Sequence, residues 1–451
     1  LASAETNLIV GDGKQAIYRW RNGEVEQFTK LPNQIHNPDN IESLNEAEFL
    51  FKELGEKISL DNNFRSSKEV VTFNNTLFKD LANSLSSNLK YIYDDVEQNP
   101  IKKHKGYINA YLEAKLTEDE QLDYVLKSIQ KSLASGFELK DICLIVRNNK
   151  SGSLLANFLT EHNITVISPD SLFIGKDRSV KFLFHLMNSI IQSKDSNYKI
   201  KAIEHFASLI DVPATKLIQN NEAFIKENTI IDYFKTRSIT ITPPDAFHNL
   251  YEFVESLVEI FDLSPSDNPF LQFFMEMVHQ YETKNNSNIR DFLTWYKDKG
   301  VKESIVSPEG ANAIQIMTIH KSKGLQFPVV ICPFYDWKLD VSRQITWIDN
   351  EGEKLPAYFV KMNKAVKNSE LGNLYEEEEG KYFLDQLNLL YVAFTRPETA
   401  LFICGSTSVA SPAKNWLEPF FNTSELFTLN GKHYEYGEFE VNPNKEEDEI
   451  N

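Results

Sequence analysis

The string VGDGKQAIYRWR, residues 10–21, gathers residue types that handle phosphate: Gly13 and Lys14 in a glycine-flanked turn, with the amide of Gln15 directly after. A phosphate cradle of the G-x-x-x-x-G-K-[ST] kind wraps backbone N–H groups around the anion and needs a hydroxyl after the lysine to reach Mg²⁺. The string fails at both ends, because the first glycine position is Leu8 and Gln15 follows Lys14. Gly175-Lys176, Gly380-Lys381 and Gly431-Lys432 fail in the same way. What remains is a side-chain amide able to orient a water or touch a terminal phosphate. Tyr18 and Trp20 follow it, and exposed rings of that kind stack on unpaired bases for roughly 1–3 kcal/mol each.

Other reactive types are thinly spread. Cys143, Cys332 and Cys404 lie inside DICLIV, VVICP and LFICG, runs that read as buried strands, and their scattered spacing points to core filling in a reducing compartment. Glu113-x-Lys115 in YLEAK is half of a Mg²⁺-dependent nuclease signature, but no Pro-Asp strand stands suitably upstream, so it reads as a surface strand. No metal-ligand set is expected on this chain.

The elements that must position these residues alternate in character. Leu8 to Val10 reads as a strand leading through the turn into a short helix that carries Tyr18, and KLPNQIHNPDN reads as a boundary. A helix over 70–81, a strand in GYINAYLEAKL, a helix in EQLDYVLKSIQKSLASG and a buried strand in DICLIVRN follow, an α/β succession. Residues 180–305 read as all helical, with one helix starting at the Pro-Asp of PPDAFHNL and another closing on Gly300. Strand, polar loop and strand then return in AIQIMTIHKSKGLQFPVVICPF, and LDQLNLLYVAFTRPETALFICG gives helix and strand.

The bulk numbers fit several compact units without a membrane span or leader. The chain has 451 residues, 41% hydrophobic and 25% charged, and a net charge of −18 that opposes general polyanion binding. The acidic runs YEEEEGK and NKEEDEIN read as a solvated helix face and a loose end, and a cytoplasmic setting without a membrane partner is expected.

Four segments in order resemble the UvrD/Rep branch of superfamily 1 helicases, with the RecB/AddA subunits of exonuclease V-type helicase-nucleases most similar. VGDGKQAIYRWR is similar to motif III, LDNNFRSSKEVV to motif IV, IQIMTIHKSKGLQFPVVICP to motif V and LNLLYVAFTRPETALFI to motif VI. The resemblance implies an α/β, RecA-like (P-loop NTPase-type) motor domain with an all-helical insertion. It implies ATP and Mg²⁺ as cofactors, single-stranded or duplex-end DNA as partner, and a second helicase-nuclease subunit. By resemblance Gln15 senses the γ-phosphate, Phe64 stands against the adenine in place of the usual Tyr, and Arg65 and Arg396 stabilise charge on the γ-phosphate. Tyr18, Trp20, Thr318, His320 and Lys323 are the implied DNA contacts, Gly324 the tight turn beside the nucleotide, and Gln326 replaces a glutamate that meets the ribose. RNGE, where Arg-Gly-Ala is more usual, and Pro397, where alanine is common, depart from the pattern.

The same resemblance sets the expected organisation. Residues 1–30 are a stub of the first motor domain, 31–179 and 306–415 the second, 180–305 a 2B-type insertion and 416–451 a C-terminal extension. Motifs I and II are expected upstream, so the isolated chain is expected not to hydrolyse ATP; a nuclease, if the parent has one, is expected beyond Asn451. The alternatives are a non-catalytic helicase-like scaffold that binds DNA or a nuclease partner, and a helical block serving as a partner platform. Retention of Gln15, Arg65 and Arg396 favours the motor.

Overall fold

The computed structural model describes residues 8–19, 25–35, 37, 40–167, 173–218, 222, 225, 228–265, 268–285, 288–303, 312–349 and 357–439. It divides into two compact units, one built from residues 1–166 with 312–451 and one from 167–311.

The first unit is organised by a sheet whose strands are β1 (Tyr107–Glu113), β2 (Ile142–Val146), β3 (Val166–Ile167), β4 (Ile314–Thr318), β5 (Phe327–Cys332), β6 (Pro397–Ser406), β7 (Thr428–Asn430) and β8 (His433–Gly437). Among the described residues these form one sheet in the order β7-β8-β1-β6-β5-β2-β4-β3. The pairs β1/β6, β6/β5, β5/β2 and β2/β4 are parallel. β8 closes the β1 edge antiparallel, with Tyr434 opposite Ala110. Although β2 and β4 are far apart in sequence, they are direct neighbours, with Cys143 opposite Gln315. The strands on either side of the long connection therefore build one sheet.

Parallel strands buried on both faces read as continuous apolar runs, and all five residues of β2 are buried. Its side chains alternate between two cores: Cys143 and Ile145 join one, Ile142, Leu144 and Val146 the other. The first core is covered by α1 (Lys68–Ala82) and the second by α2 (Glu118–Ala134) and α3 (Asn149–Glu161). Thr117 starts α2 with a capping box completed by Glu120, and Asn148 accepts from the Ser151 N–H to start α3. The long helix α4 (Gly372–Phe394) adds Leu384, Leu387, Leu390 and Phe394 to the first core and leads straight into β6. All three cysteines are free and buried in strands, as their apolar settings predict.

The second unit has its own apolar core. Helices Arg178–Ile191, Ser196–Leu209, Leu250–Ile260, Pro269–Lys284 and Ile289–Asp298 bury Phe182, Phe253, Phe274 and Phe292. Each starts at an Asx residue, Asp177, Asp195, Asn249, Asn268 or Asn288, whose side-chain oxygen accepts a first-turn N–H.

Several local expectations change. Leu8 to Val10 is exposed and pairs with no strand among the described residues, and Tyr18 lies past a 3₁₀ turn rather than on a helix. The Pro-Asp of PPDAFHNL forms its own 3₁₀ turn, and the helix begins later, where Asn249 caps it. The helix Ile289–Asp298 does close as expected, with Lys299 at its C-cap and Gly300 directly after, and Gly300 then opens another 3₁₀ turn. YEEEEGK is helical, but Glu378 within it is 8% exposed, because it faces an arginine of the first unit. NKEEDEIN lies outside the described residues.

Candidate nucleotide and strand site

The Gly13–Gln15 turn is built by its own residues and then bolted to α4. Asp12 accepts from the Lys14 N–H at 3.0 Å, closing the 3₁₀ turn Gly13–Gln15, and also accepts from Gln15 Nε2 at 3.0 Å. Lys14 points inward, with Nζ 3.0 Å from both Asp12 and Asp95 and 5.8 Å from the Tyr391 ring centroid. Burial opposes its charge, but the two carboxylates outweigh burial and raise its pKa. Asn388, fully buried on α4, donates to the carbonyls of Gly13 at 3.3 Å and Ala16 at 2.9 Å and receives the Tyr93 hydroxyl at 2.8 Å. One turn earlier, Asp385 accepts from Arg19 Nε at 2.7 Å, and two turns before that Glu378 accepts from Nη1 at 2.9 Å. Positions 378, 385, 388 and 391 follow helical spacing, so one stripe of α4 holds the segment that carries Gln15 and Tyr18.

The two arginines meet at the end of that helix. Arg65 donates through Nε to Gln326 Oε1 at 3.1 Å and through Nη1 to the Thr395 carbonyl at 3.2 Å. Asn63 fixes its backbone by accepting from both the Arg65 and Ser66 N–H groups at 2.9 Å. Arg396 is 1% exposed and donates to the Val392 carbonyl at 2.7 Å, the Leu325 carbonyl at 2.9 Å and Thr395 Oγ1 at 2.9 Å. Burial, joined by repulsion from Arg65, pushes its pKa down to about 10, which leaves it charged at neutral pH. The two guanidiniums thus meet over Thr395 and the neighbouring pair Leu325 and Gln326. Beside them Phe64 is 69% exposed.

The motif V residues follow β4. Thr318 ends the strand at the N-cap position of the one-turn helix Ile319–Ser322, with no capping bond from its hydroxyl. The Tyr18 hydroxyl donates to the His320 carbonyl at 3.1 Å, the two rings lie 5.7 Å apart, and Lys323 Nζ stands 5.5 Å from the Tyr18 ring centroid. Gly324 has φ +87°, a left-handed conformation that favours glycine. It turns the chain back to Leu325 and Gln326, so β4, its turn and the start of β5 carry both groups of residues.

The structure therefore brings Gln15, Tyr18, Arg65, Thr318, His320, Lys323, Gly324, Gln326 and Arg396 onto one framework within the first unit, with Phe64 exposed at its side. Trp20 and RNGE lie outside the described residues. Asn388, Arg19 and Asn63 escaped the sequence reading, and so did the part of Lys14 as a buried anchor paired with Asp12 and Asp95. A lone amide inside the apolar run LNLLYVAF is the signal that would have found Asn388, since a buried amide needs partners. Among the described residues no three His, Cys, Asp or Glu side chains gather as a cation site. Nor is any described helix long and apolar enough to cross a membrane.

Comparison with known proteins adds the family. Residues 58–261 and 268–408 match the model of the UvrD-like helicase C-terminal domain. An ATP-dependent helicase/nuclease subunit of Staphylococcus saprophyticus is 24% identical over 466 aligned residues, covering 89% of this chain and 37% of that protein. The protein of the same name from Ligilactobacillus salivarius is 22% identical, covering 88% and 37%. An ATP-dependent DNA helicase PcrA of Staphylococcus epidermidis is 22% identical, covering 90% and 52%. The chain thus spans between about a third and about half of the length of these relatives.

Proposed function

The chain belongs to the family of UvrD-like helicase C-terminal domains, and we propose that it forms the second motor half of an ATP-dependent DNA helicase that moves 3′ to 5′ along a strand in repair and recombination. The observation that carries this reading is the meeting of Arg65 and Arg396 over Leu325 and Gln326, at the end of the same helix that holds the Gln15 turn. Residues 31–179 and 306–415 are the RecA-like domain in this reading, 180–305 its 2B-type insertion, 1–30 the end of the first motor domain and 416–451 an extension.

Each side chain has a role that its chemistry fits. Phe64 offers an open ring face to an adenine. Gln15 orients the attacking water against the γ-phosphate, while Arg65 and the two N–H groups of Arg396 that have no partner among the described residues stabilise the charge that develops there. Gln326 accepts from Arg65 and lies where a ribose hydroxyl would be read. Thr318, His320 and Lys323 grip the strand backbone, with Tyr18 and Trp20 offering stacking surfaces. Because Tyr18 bonds the His320 backbone, a shift of the Gln15 turn is felt at the strand contacts, a physical route from phosphate to DNA. Mg²⁺, if bound with ATP, would neutralise phosphate charge; its protein ligands and the phosphate-binding lysine are proposed to come from residues outside these 451, which contain no G-x-x-x-x-G-K-[ST] string. A partner protein is proposed from the relatives named as helicase/nuclease subunits.

The test is single-strand-stimulated ATPase on the full natural gene product. Turnover that falls about 10³-fold in Arg65→Ala, with strand binding intact, supports a motor. Unchanged turnover would remove the arginine from the mechanism, and robust turnover by the 451 residues alone would refute the division of labour proposed here.

A further inference from the structure

The connection from β5 to α4 carries a feature that neither the nucleotide nor the motif V residues use. Ile345–Asp349 pairs antiparallel with Ala357–Lys361 as a two-stranded hairpin outside the main sheet. Its register sets Ile345 opposite Lys361 and Trp347 opposite Phe359. Strand alternation places these four on one face. Ile345, Trp347 and Phe359 are 61%, 60% and 61% exposed, and the Trp347 and Phe359 ring centroids lie 3.6 Å apart. A two-stranded hairpin is marginal in water by itself, and a contiguous exposed aromatic face marks a surface that meets something.

Charge says what that something is. Lys361 and Lys364 are both exposed, and neither is ion-paired among the described residues, on a chain whose net charge is −18. β2, β4 and β5 run parallel side by side, so Thr318 and Cys332 leave the sheet at the same edge. After Cys332 the chain follows the end of β6, the Tyr335 N–H donating to the Cys404 carbonyl at 3.0 Å and the Leu339 N–H to the Ala410 carbonyl at 3.0 Å, before it forms the hairpin. Stacking rings beside uncompensated lysines suit unpaired bases and their phosphates; an apolar protein partner would leave the lysines unused.

We propose that the Trp347–Phe359 face is a further platform for single-stranded DNA, in addition to the strand contacts proposed at Thr318 and His320. The inference rests on the helicase reading above. Bases stack on the open faces of the ring pair while Lys361 and Lys364 neutralise the backbone, so the contact is tolerant of sequence and sensitive to salt.

The experiment is a fluorescence-anisotropy titration of labelled oligothymidylate with the 451-residue chain. Trp347→Ala and Phe359→Ala are each expected to weaken binding about tenfold, with Trp347→Phe retaining most of the affinity. Lys361→Ala with Lys364→Ala is expected to flatten the dependence of log affinity on log salt by about 0.7 per lysine. All four side chains are on the surface, and thermal melts matching wild type confirm the fold of each variant. Aromatic variants that bind like wild type, while His320→Ala and Lys323→Ala bind weakly, overturn the platform and leave the helicase reading standing. A wild-type chain that does not bind the oligonucleotide overturns both. A dimer that falls apart in Trp347→Ala with DNA affinity unchanged assigns the face to a second copy instead.

Discussion

Asn388 donates to the carbonyl of Ala16 at 2.9 Å, from a fully buried position on the helix that leads to Arg396. The turn carrying Gln15 is therefore held by the same element that delivers the motif VI arginine. Replacing Asn388 with Leu keeps the volume and strands the Tyr93 hydroxyl and two carbonyls without their partner, so we expect a loss of about 1–3 kcal/mol in urea denaturation. Hydrogen exchange at the amides of residues 14–17 should quicken at the same time. Exchange as slow as in wild type would mean that the turn is held by Lys14 and Asp12 without help from α4.

Lys14 is the second anchor of that turn, and its removal tests a different interaction. Lys14→Met leaves Asp12 and Asp95 facing each other without the cation that now lies 3.0 Å from both. We expect a cost of about 3 kcal/mol, the lower end for breaking a buried ion pair, since Asp95 stays 44% exposed and water can take over part of the role. Changing Asp95→Asn as well should recover part of the loss in a double-mutant cycle. A cycle with no coupling would show that the lysine stabilises through its stem alone.

Strings whose meaning is local were legible in advance. DICLIV and LFICG are strands because apolar runs of that length fit a sheet covered on both faces, and GLQ turns where a left-handed residue is needed at Gly324. Contacts made across the chain were not legible. Leu8 to Val10 has the composition of a strand, but pairing partners decide strands, and the structure offers it none among the described residues. YEEEEGK looks solvated by count, yet Glu378 is buried because Arg19, 359 positions away, reaches it. The C-terminal hairpin β7-β8 escaped for the same reason: its register with β1 is tertiary information. For the proposed site, motif order brings the arginines and Gln15 forward as candidates, whereas Asn388 and Lys14, which hold the turn, act through partners that a linear reading does not reveal.

In the helical unit, His185 and His205 stack with centroids 5.0 Å apart, flanked by Lys181 and Lys201. Burial and then repulsion from His205 and the lysines push the His185 pKa down to about 4, and His205 is lowered too. The folded state binds fewer protons than the unfolded one, so the contribution is whole above the ordinary histidine value of about 6.5 and is lost as pH falls toward 4. We expect the melting temperature to drop across that window and the drop to shrink in His185→Gln. A pH profile identical in wild type and variant would show that the pair carries no linkage.

Arg65 and Arg396 make opposite predictions although both are motif arginines within reach of Thr395. Arg396 fills a buried slot and satisfies the Val392 and Leu325 carbonyls, so Arg396→Ala leaves buried acceptors unpaired and should cost about 2–3 kcal/mol in this chain. Arg65 is half-buried, and its charge is one of the two causes that depress the Arg396 pKa, so removing it relieves repulsion while giving up only Gln326 and one carbonyl. Arg65→Ala should therefore be close to neutral for stability, within about 0.5 kcal/mol. An anion bridging the guanidiniums reverses that balance: inorganic triphosphate should raise the melting temperature of wild type and fail to raise that of Arg65→Ala. Equal destabilisation by the two variants, or equal stabilisation of both proteins by the anion, would mean that the pair is a structural lock and that γ-phosphate is met elsewhere.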